Sequence, residues 1–409
     1  MRLHRIDMKK LNQIERCIYS RNLKQANQLL FQVMDGLASN KYSDIYDCIE
    51  NKFYSSYEAK VFCTRLTSAL IAIASDEAYV LADEDYKTFC YQQGLIQSLF
   101  LASGYNNSAF LFQLIGQDDG ANNTNINSLE SVKKYYAFIP INFALEPLVE
   151  LLPTLPPQVS FPYIMGSLIN NHSTTQHGKS MREKLLGFGK FITTYPVTGN
   201  DIALVCKTWQ RCCYEEAREK HHFRFFLNHL IRVWLGKRKE LACDRGRSQK
   251  AKILVLFEEA AEDGAIFELP LLNSTIVNDN YHVMGMAEKR NAQPPFSNEF
   301  DETEYIDVNM NKLNVILSRI EKISPDVIIF PSVGKREWGI VLANTRLAPT
   351  QIIGTQFPYS TMSDCIDYVI DESGVGIDQN VFVEKVIPCS GDEIDTFFES
   401  LNERLIGAL

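Results

Sequence analysis

The 409-residue sequence predicts an α plus α/β chain, with an all-helical N-terminal domain, then a single parallel-sheet domain and a C-terminal helix. Two observations carry this expectation. In the first half, apolar residues recur at i, i+3 and i+4, the period of a buried helix face. From Ala251 onward, short β-rich apolar runs alternate with turn formers and helical patterns, the order of elements in a parallel sheet. Between them lies 237–249 (KRKELACDRGRSQ), charged and carrying a glycine, as a boundary requires. The domains are therefore read as 1–245 and 250–390, with a closing helix at 391–409.

The helical half begins with two helices over 8–38. Leu11, Ile14, Cys17 and Ile18 line one face, Leu23, Ala26, Leu29, Leu30 and Val33 the next, and Ser20-Arg21-Asn22 is a short break between them. The pair resembles one helical-repeat unit, although no fixed period recurs. Tyr57–Ala74 and Asp83–Leu101 are longer helices, the second with Asp83 as a candidate N-cap. Phe110–Ile115 is a shorter one, and 116–125 is a polar, Asn-rich loop. Leu129–Phe138 is helical again, while the prolines of 140–157 demand irregular chain or short helices. Phe161–Ile169, Lys179–Ile192 and Asp201–Lys220 complete the helical segments.

In the second half, Lys252–Phe257 and Tyr281–Met286 read as the first two strands. Asn311–Ile323 is amphipathic through Leu313, Ile316, Leu317, Ile320 and Ile323. Val327–Phe330 is a short buried strand, stopped by Pro331-Ser332-Val333-Gly334 ahead of a helix containing Trp338, Val341 and Leu342. Ile352-Ile353, Cys365–Ile370 and Val381–Val386 give further strands, and Asp392–Ile406 the last helix. Ligands of such sheets gather at the carboxyl ends of strands, here 331–335, 354–363 and 371–373.

Composition narrows the function classes. A net charge of −9 argues against a general nucleic-acid binder, and no apolar run approaches the ~20 residues a membrane helix needs. The N-terminus is basic without the apolar core of a secretory signal. Ten cysteines without disulfide-framework or CxxC spacing suit free or buried thiols in a reducing cytoplasm. Adjacent Cys212-Cys213 and His221-His222 diverge on a helix and do not make a metal site, so no metal is expected.

Asn344-Thr345-Arg346-Leu347-Ala348-Pro349, Gln351 and the segment Ser363–Ile370 (SDCIDYVI) lie in an ungapped pattern from Pro331 to Ile370. This pattern resembles the bacterial cytoplasmic glycosyltransferases that modify high-molecular-weight adhesins, members of glycosyltransferase family 41 related to O-GlcNAc transferase. Leu11–Leu30 and Thr64 through Ser103 are similar to the family's helical domain. The resemblance implies a GT-B fold, with a helical domain and a Rossmann-like, acceptor-side N-terminal half, a nucleotide-sugar donor and a polypeptide acceptor. By the same register the family's histidine positions read as Gly264, Pro270 and Phe357, and phenylalanine neither accepts nor donates a proton.

Inverting sugar transfer needs stabilisation of the leaving diphosphate, a donor pocket and a group that manages the acceptor's proton. Only about twenty residues follow the last strand, enough for one helix, so the donor domain is expected to be absent. His282, the single histidine of 251–409, falls in a strand and reads as packed rather than catalytic. Asn344, Arg346, Gln351 and Ser363 are the candidate acceptor or partner groove, with two readings open: contact with peptide or sugar, or internal ion pairing and backbone capping. Gly334-Lys335-Arg336 superficially suggests a phosphate site but lacks P-loop spacing. The expected function is a cytoplasmic, glycosyltransferase-like pseudoenzyme without a cofactor of its own. It is expected to bind a protein partner: a glycosyltransferase, its polypeptide acceptor or a second copy. The alternative is an active protein glycosyltransferase whose donor site another chain completes. A third reading is a helical-repeat scaffold.

Overall fold

A computed structural model describes residues 5–39, 57–115, 117–118, 124–125, 128–169, 175–215, 217–236, 250–258, 274–288, 300–307, 310–354, 359–371, 381–388 and 391–407. The chain divides into two compact units, Met1–Tyr195 and Pro196–Leu409.

Among its described residues, the first unit is helical apart from a two-residue ladder at 117–118 and 124–125. Its helices are α1 (Arg5–Tyr19), α2 (Leu23–Ala38), α3 (Tyr57–Ser75), α4 (Asp83–Tyr91), α5 (Gln93–Ala102), α6 (Leu111–Ile115), α7 (Leu129–Phe138), α8 (Glu146–Leu151), α9 (Pro157–Ile169), α10 (Gln176–Leu186) and α11 (Gly189–Ile192). The break between α1 and α2 works as its sequence suggests, because the Asn22 side chain caps α2 by accepting from the Gln25 amide. Arg65 of α3 grips Glu15 of α1 with two bonds of 2.7 and 2.6 Å. The predicted helix over 83–101 is two helices broken at Gln92, and its N-cap is Ala82 rather than Asp83, which occupies the first helical turn. Aromatic side chains fill this core, and the Tyr86 hydroxyl donates to the Val159 carbonyl at 2.6 Å.

The second unit opens with two helices, α12 (Gly199–Cys212) and α13 (Glu219–Leu235). It continues with β1 (Ala251–Phe257), α14 (Thr275–Asn280), β2 (Tyr281–Glu288), β3 (Glu302–Ile306), α15 (Leu313–Ile323), β4 (Val327–Phe330), α16 (Glu337–Ala343), β5 (Thr350–Gly354), β6 (Tyr368–Asp371), β7 (Lys385–Pro388) and α17 (Gly391–Gly407). The strands form one seven-stranded, all-parallel sheet in the order β3-β2-β1-β4-β5-β6-β7. Ile253, Val255 and Phe257 of β1 share a cluster with Ile394, Phe398 and Leu401 of α17. The alternate residues Leu254 and Leu256 are buried too, so both faces of the sheet are covered, as parallel sheets require.

Three aspartates set the register at the amino edge. Asp326, Asp301 and Asp367 each stand just before a strand and accept from an amide of the neighbouring strand: Lys252 at 2.8 Å, Val283 at 2.7 Å and Gln351 at 2.8 Å. Each satisfies an amide that the ladder has not yet reached.

Several expectations shift. Strand β3 has no counterpart in the sequence reading, because Glu302–Ile306 is a half-exposed edge strand with little apolar content. The strand expected at 365–370 begins at Tyr368, after Asp367 closes its bracket. The last strand lies at 385–388, because Glu384 is drawn inward by the Ser360 hydroxyl and the Thr361 amide at 2.7 and 2.8 Å. Compactness also groups α12 and α13 with the sheet, ahead of the charged segment 237–249.

Asn228 of α13 is the physical reason for that grouping. Its side-chain oxygen accepts from the Trp209 indole and from Asn344, both at 2.9 Å, while its amide nitrogen donates to the carbonyls of Thr361 at 3.0 Å and Met362 at 2.7 Å. All four possible bonds of the side chain are made without solvent exposure. Replacing Asn228 by Leu keeps the volume and orphans these partners, and the expected loss is about 3 kcal/mol or more. Urea unfolding followed by tryptophan fluorescence checks it, since Trp209, Trp234 and Trp338 all lie in this unit.

Candidate functional site

The strand order reverses between β1 and β4, and an open parallel sheet places its ligand crevice outside the carboxyl ends of such neighbours. Glu258 follows β1 there and is buried. Its Oε1 accepts from the amides of Gly334 at 3.1 Å and Arg336 at 3.3 Å, and its Oε2 from the Lys335 amide at 2.9 Å. The Ser332 hydroxyl reaches Oε2 at 3.5 Å. Three consecutive amides converging on one anion form a nest, and Gly334 at φ +111° supplies the backbone conformation that makes it possible.

Space is reserved for this carboxylate. A Cβ on Gly339 would stand 1.8 Å from Oε1, so α16 approaches as a glycine helix start demands. Burial pushes the Glu258 carboxyl up to about 7, while the three amides and the Lys335 charge pull it down.

Beside this turn lies a cleft of about 310 Å³ lined by Gln210, Glu288, Met310, Lys335, Arg336, Glu337 and Trp338. The size suits a small ligand or a few residues of an extended chain. Arg336 faces the buried Glu288 carboxylate at 3.8 Å, and Glu337 faces Lys207 at 4.0 Å. Trp338 is buried, and its indole N–H has no acceptor among the described residues. The cleft thus offers paired charges, an amide and an aromatic edge to a polar ligand.

The residues singled out by sequence lie elsewhere and face inward. Asn344 is buried, donating to Asn228 and to the Ile340 carbonyl, both at 2.9 Å. Gln351, fully buried, caps the Leu347 and Ala348 amides at 2.5 and 3.2 Å. The Ser363 hydroxyl donates to the Ala343 carbonyl at 2.7 Å. Arg346 is half-buried in a two-pronged pair with Asp367, at 2.6 and 3.1 Å. Among the described residues, the contacts these side chains make are internal pairing and capping, bracing the chain between α16 and β6. The reason is the tight passage 344–351, whose own amides need acceptors. Gly264, Pro270 and Phe357 lie outside the described residues.

His282 sits at the amino end of β2, between Asp301 at 3.4 Å and Glu302 at 3.5 Å, at the opposite edge of the sheet from the cleft. Gly334-Lys335-Arg336, read as superficially phosphate-like, is filled by Glu258 instead. No sequence signal links residues so far apart, and the signal that comes nearest is an acidic residue directly after an apolar strand.

Arg224 is the other unusual charge. It is fully buried with its guanidinium 4.1 Å over the Trp209 ring, and its nitrogens have no hydrogen-bond acceptor among the described residues. The cation–π contact offsets only part of the desolvation cost. Among the described residues no group of three or more His, Cys, Asp or Glu could hold a metal ion, and no helix is long and apolar enough to cross a membrane.

Comparison with known proteins places the chain. It is 23% identical over 349 residues to the UDP-glucose:protein N-beta-glucosyltransferase of Actinobacillus pleuropneumoniae serotype 5b (strain L20), and equally to that of serotype 7 (strain AP76). It is related to the protein N-glucosyltransferases. Each alignment covers 81% of this chain, and the chain spans 56% of those relatives' length. An O-GlcNAc transferase of Thermobaculum terrenum aligns over 95% of this chain and 58% of its own, at 12% identity and a TM-score of 0.39. No protein-family profile matches. This glycosyltransferase-like chain therefore carries the resemblance read from its sequence on a helical region followed by a parallel sheet.

Two stability outcomes follow from the buried charges. Arg224→Met, of similar volume, is expected to raise stability by about 1–4 kcal/mol, because the desolvation of a buried cation outweighs its attraction to Glu384 and the Trp209 ring; thermal and urea unfolding check it. For Glu258, the folded value lies above the usual glutamate value of 4.5, so the folded chain holds a proton that the unfolded chain releases. That contribution is complete below about pH 4.5 and is lost as pH rises through about 7. Wild-type stability relative to Glu258→Gln is expected to fall by on the order of 3 kcal/mol across this window, read from urea midpoints at stepped pH.

Proposed function

We propose that this chain serves protein glycosylation as a glycosyltransferase-like binding subunit, holding a polypeptide in the cleft at the carboxyl ends of β1, β2 and β4, with no sugar transfer by itself. The observation that carries this reading is the position of the one imidazole in the sheet domain. His282 stands at the amino edge, paired with two carboxylates, where it cannot take a proton from a ligand in the cleft. Glu258, behind the cleft wall, is already spent on three backbone amides, and the buried carboxylate that lines the cleft, Glu288, faces Arg336 at 3.8 Å. Phe357, at a family histidine position by the sequence resemblance, points the same way. The cleft's mixed charges and buried indole suit the backbone and polar side chains of an extended peptide. The relatives' action on protein supports a polypeptide ligand.

The second reading, an active family 41 transferase whose donor site another polypeptide completes, is favoured by Lys335 and Arg336, two cations suited to a leaving diphosphate.

The test is to titrate an Asn-containing, adhesin-type peptide into the purified chain by calorimetry and then add UDP-glucose. Peptide binding without UDP release or a mass gain on the peptide is expected. UDP release matched by a glucosylated peptide overturns the reading, and transfer that appears only when a donor-binding polypeptide is added establishes the second one.

A further inference from the structure

We propose that Glu258 is the positioning residue of the cleft, a carboxylate latch that holds the Ser332–Arg336 turn and with it the side chains of Lys335 and Arg336. This rests on the cleft reading above. Three features argue for a latch rather than a generic turn closure. The acceptor comes from the end of β1, so it ties β1 to the turn that follows β4, its sheet neighbour. It takes three successive amides at once, which fixes the backbone of the two residues whose side chains line the cleft. And Gly339 leaves room that any side chain would fill, so α16 is built around the carboxylate.

A buried carboxylate is a costly way to close a turn that a Ser or Asn cap closes without charge. The charge has one consequence a neutral cap lacks. As an anion Glu258 presents only acceptors to the amides; on protonation one oxygen becomes a donor and part of the grip is lost. Among the described residues, the charged groups around it are Lys335, which attracts it, Arg336, which faces Glu288 at 3.8 Å, and Glu337, which faces Lys207 at 4.0 Å. None of these side chains replaces the amides as its hydrogen-bond partner. Burial has already raised the carboxyl to about 7, so the latch grips above that pH and loosens below it. Lys335 and Arg336 are then less well placed, and a ligand held by them dissociates more readily.

The experiment uses the full chain, labelled with ¹⁵N, titrated from about pH 5.5 to 8.5, as wild type and as Glu258→Gln. The amides of Gly334, Lys335 and Arg336 are expected to move together with one midpoint near 7, and to show no such midpoint in the variant. Flat amide shifts in the wild type, or an unchanged titration in the variant, overturn the latch. If Glu258→Gln does not fold, the wild-type titration still decides, and Glu258→Asp serves as the control, since its shorter carboxylate keeps the charge but loses the reach. In parallel, calorimetry with the Asn-containing peptide is run at about pH 8 and pH 6. If only the ionised latch is competent, affinity is expected to be about 10-fold weaker at the lower pH in wild type and pH-independent in the variant. Titrating amides with equal peptide affinity at both pH values overturn the positioning role. Titrating amides with no peptide binding at any pH leave the latch standing and sink the polypeptide reading instead.

Discussion

A carboxylate with no exposed surface joins the end of the first strand to the turn after its neighbour, and the candidate site depends on that join. Without an acceptor, three amides at the point where the sheet order reverses, that of Gly334 buried, would lose their partner. Glu258 ties the turn to the end of β1, and α16 packs its Gly339 against the carboxylate beside the cleft. The position that open α/β sheets commonly give to a ligand's anionic group is here held by the chain's own side chain.

The same economy runs through the second unit. Aspartates at the amino edge accept the first ladder amides, Gln351 closes the passage after α16, and Asn228 gathers partners from α12, α16 and the 361–362 segment. Each of these polar side chains, exposed like Asp301 or buried like Asn228 and Gln351, meets a specific donor or acceptor, which specifies register as much as it adds stability. Arg224 departs from the pattern: its charge faces an aromatic ring and finds no acceptor among the described residues.

For function, the two edges of the sheet differ. The amino edge carries the aspartate brackets and His282, while the carboxyl edge carries the cleft with its lysine, arginine and two glutamates. The relatives are protein glucosyltransferases, and this chain shares with them a stretch spanning 56% of their length. Binding of a polypeptide and transfer of a sugar are separable demands, since the first needs complementary polar groups and the second also needs a proton acceptor within reach of the reacting atom.

Apolar spacing located most helices of the first unit, with 83–101 and 179–192 each read as one helix where two form, and short β-rich runs located the buried strands β1, β2, β4 and β5, because such patterns are a local consequence of which face meets the core. The ungapped pattern from Pro331 to Ile370 carried the resemblance to protein-modifying glycosyltransferases, and the 23% identity over 349 residues to protein N-glucosyltransferases agrees with it. Strand β3 escaped because an edge strand's alternation is diluted by charge, and β7 was displaced because Glu384 turns inward to partners that are near only in space. The site was least legible. Asn344, Gln351 and Ser363 stand out in the sequence yet are internal braces, and Glu258, 76 residues from Gly334, carries no mark of its role. Local patterns decide what forms, since they follow from neighbours along the chain. Which carboxylate meets which amide is decided only when the sheet assembles and brings distant strand ends together.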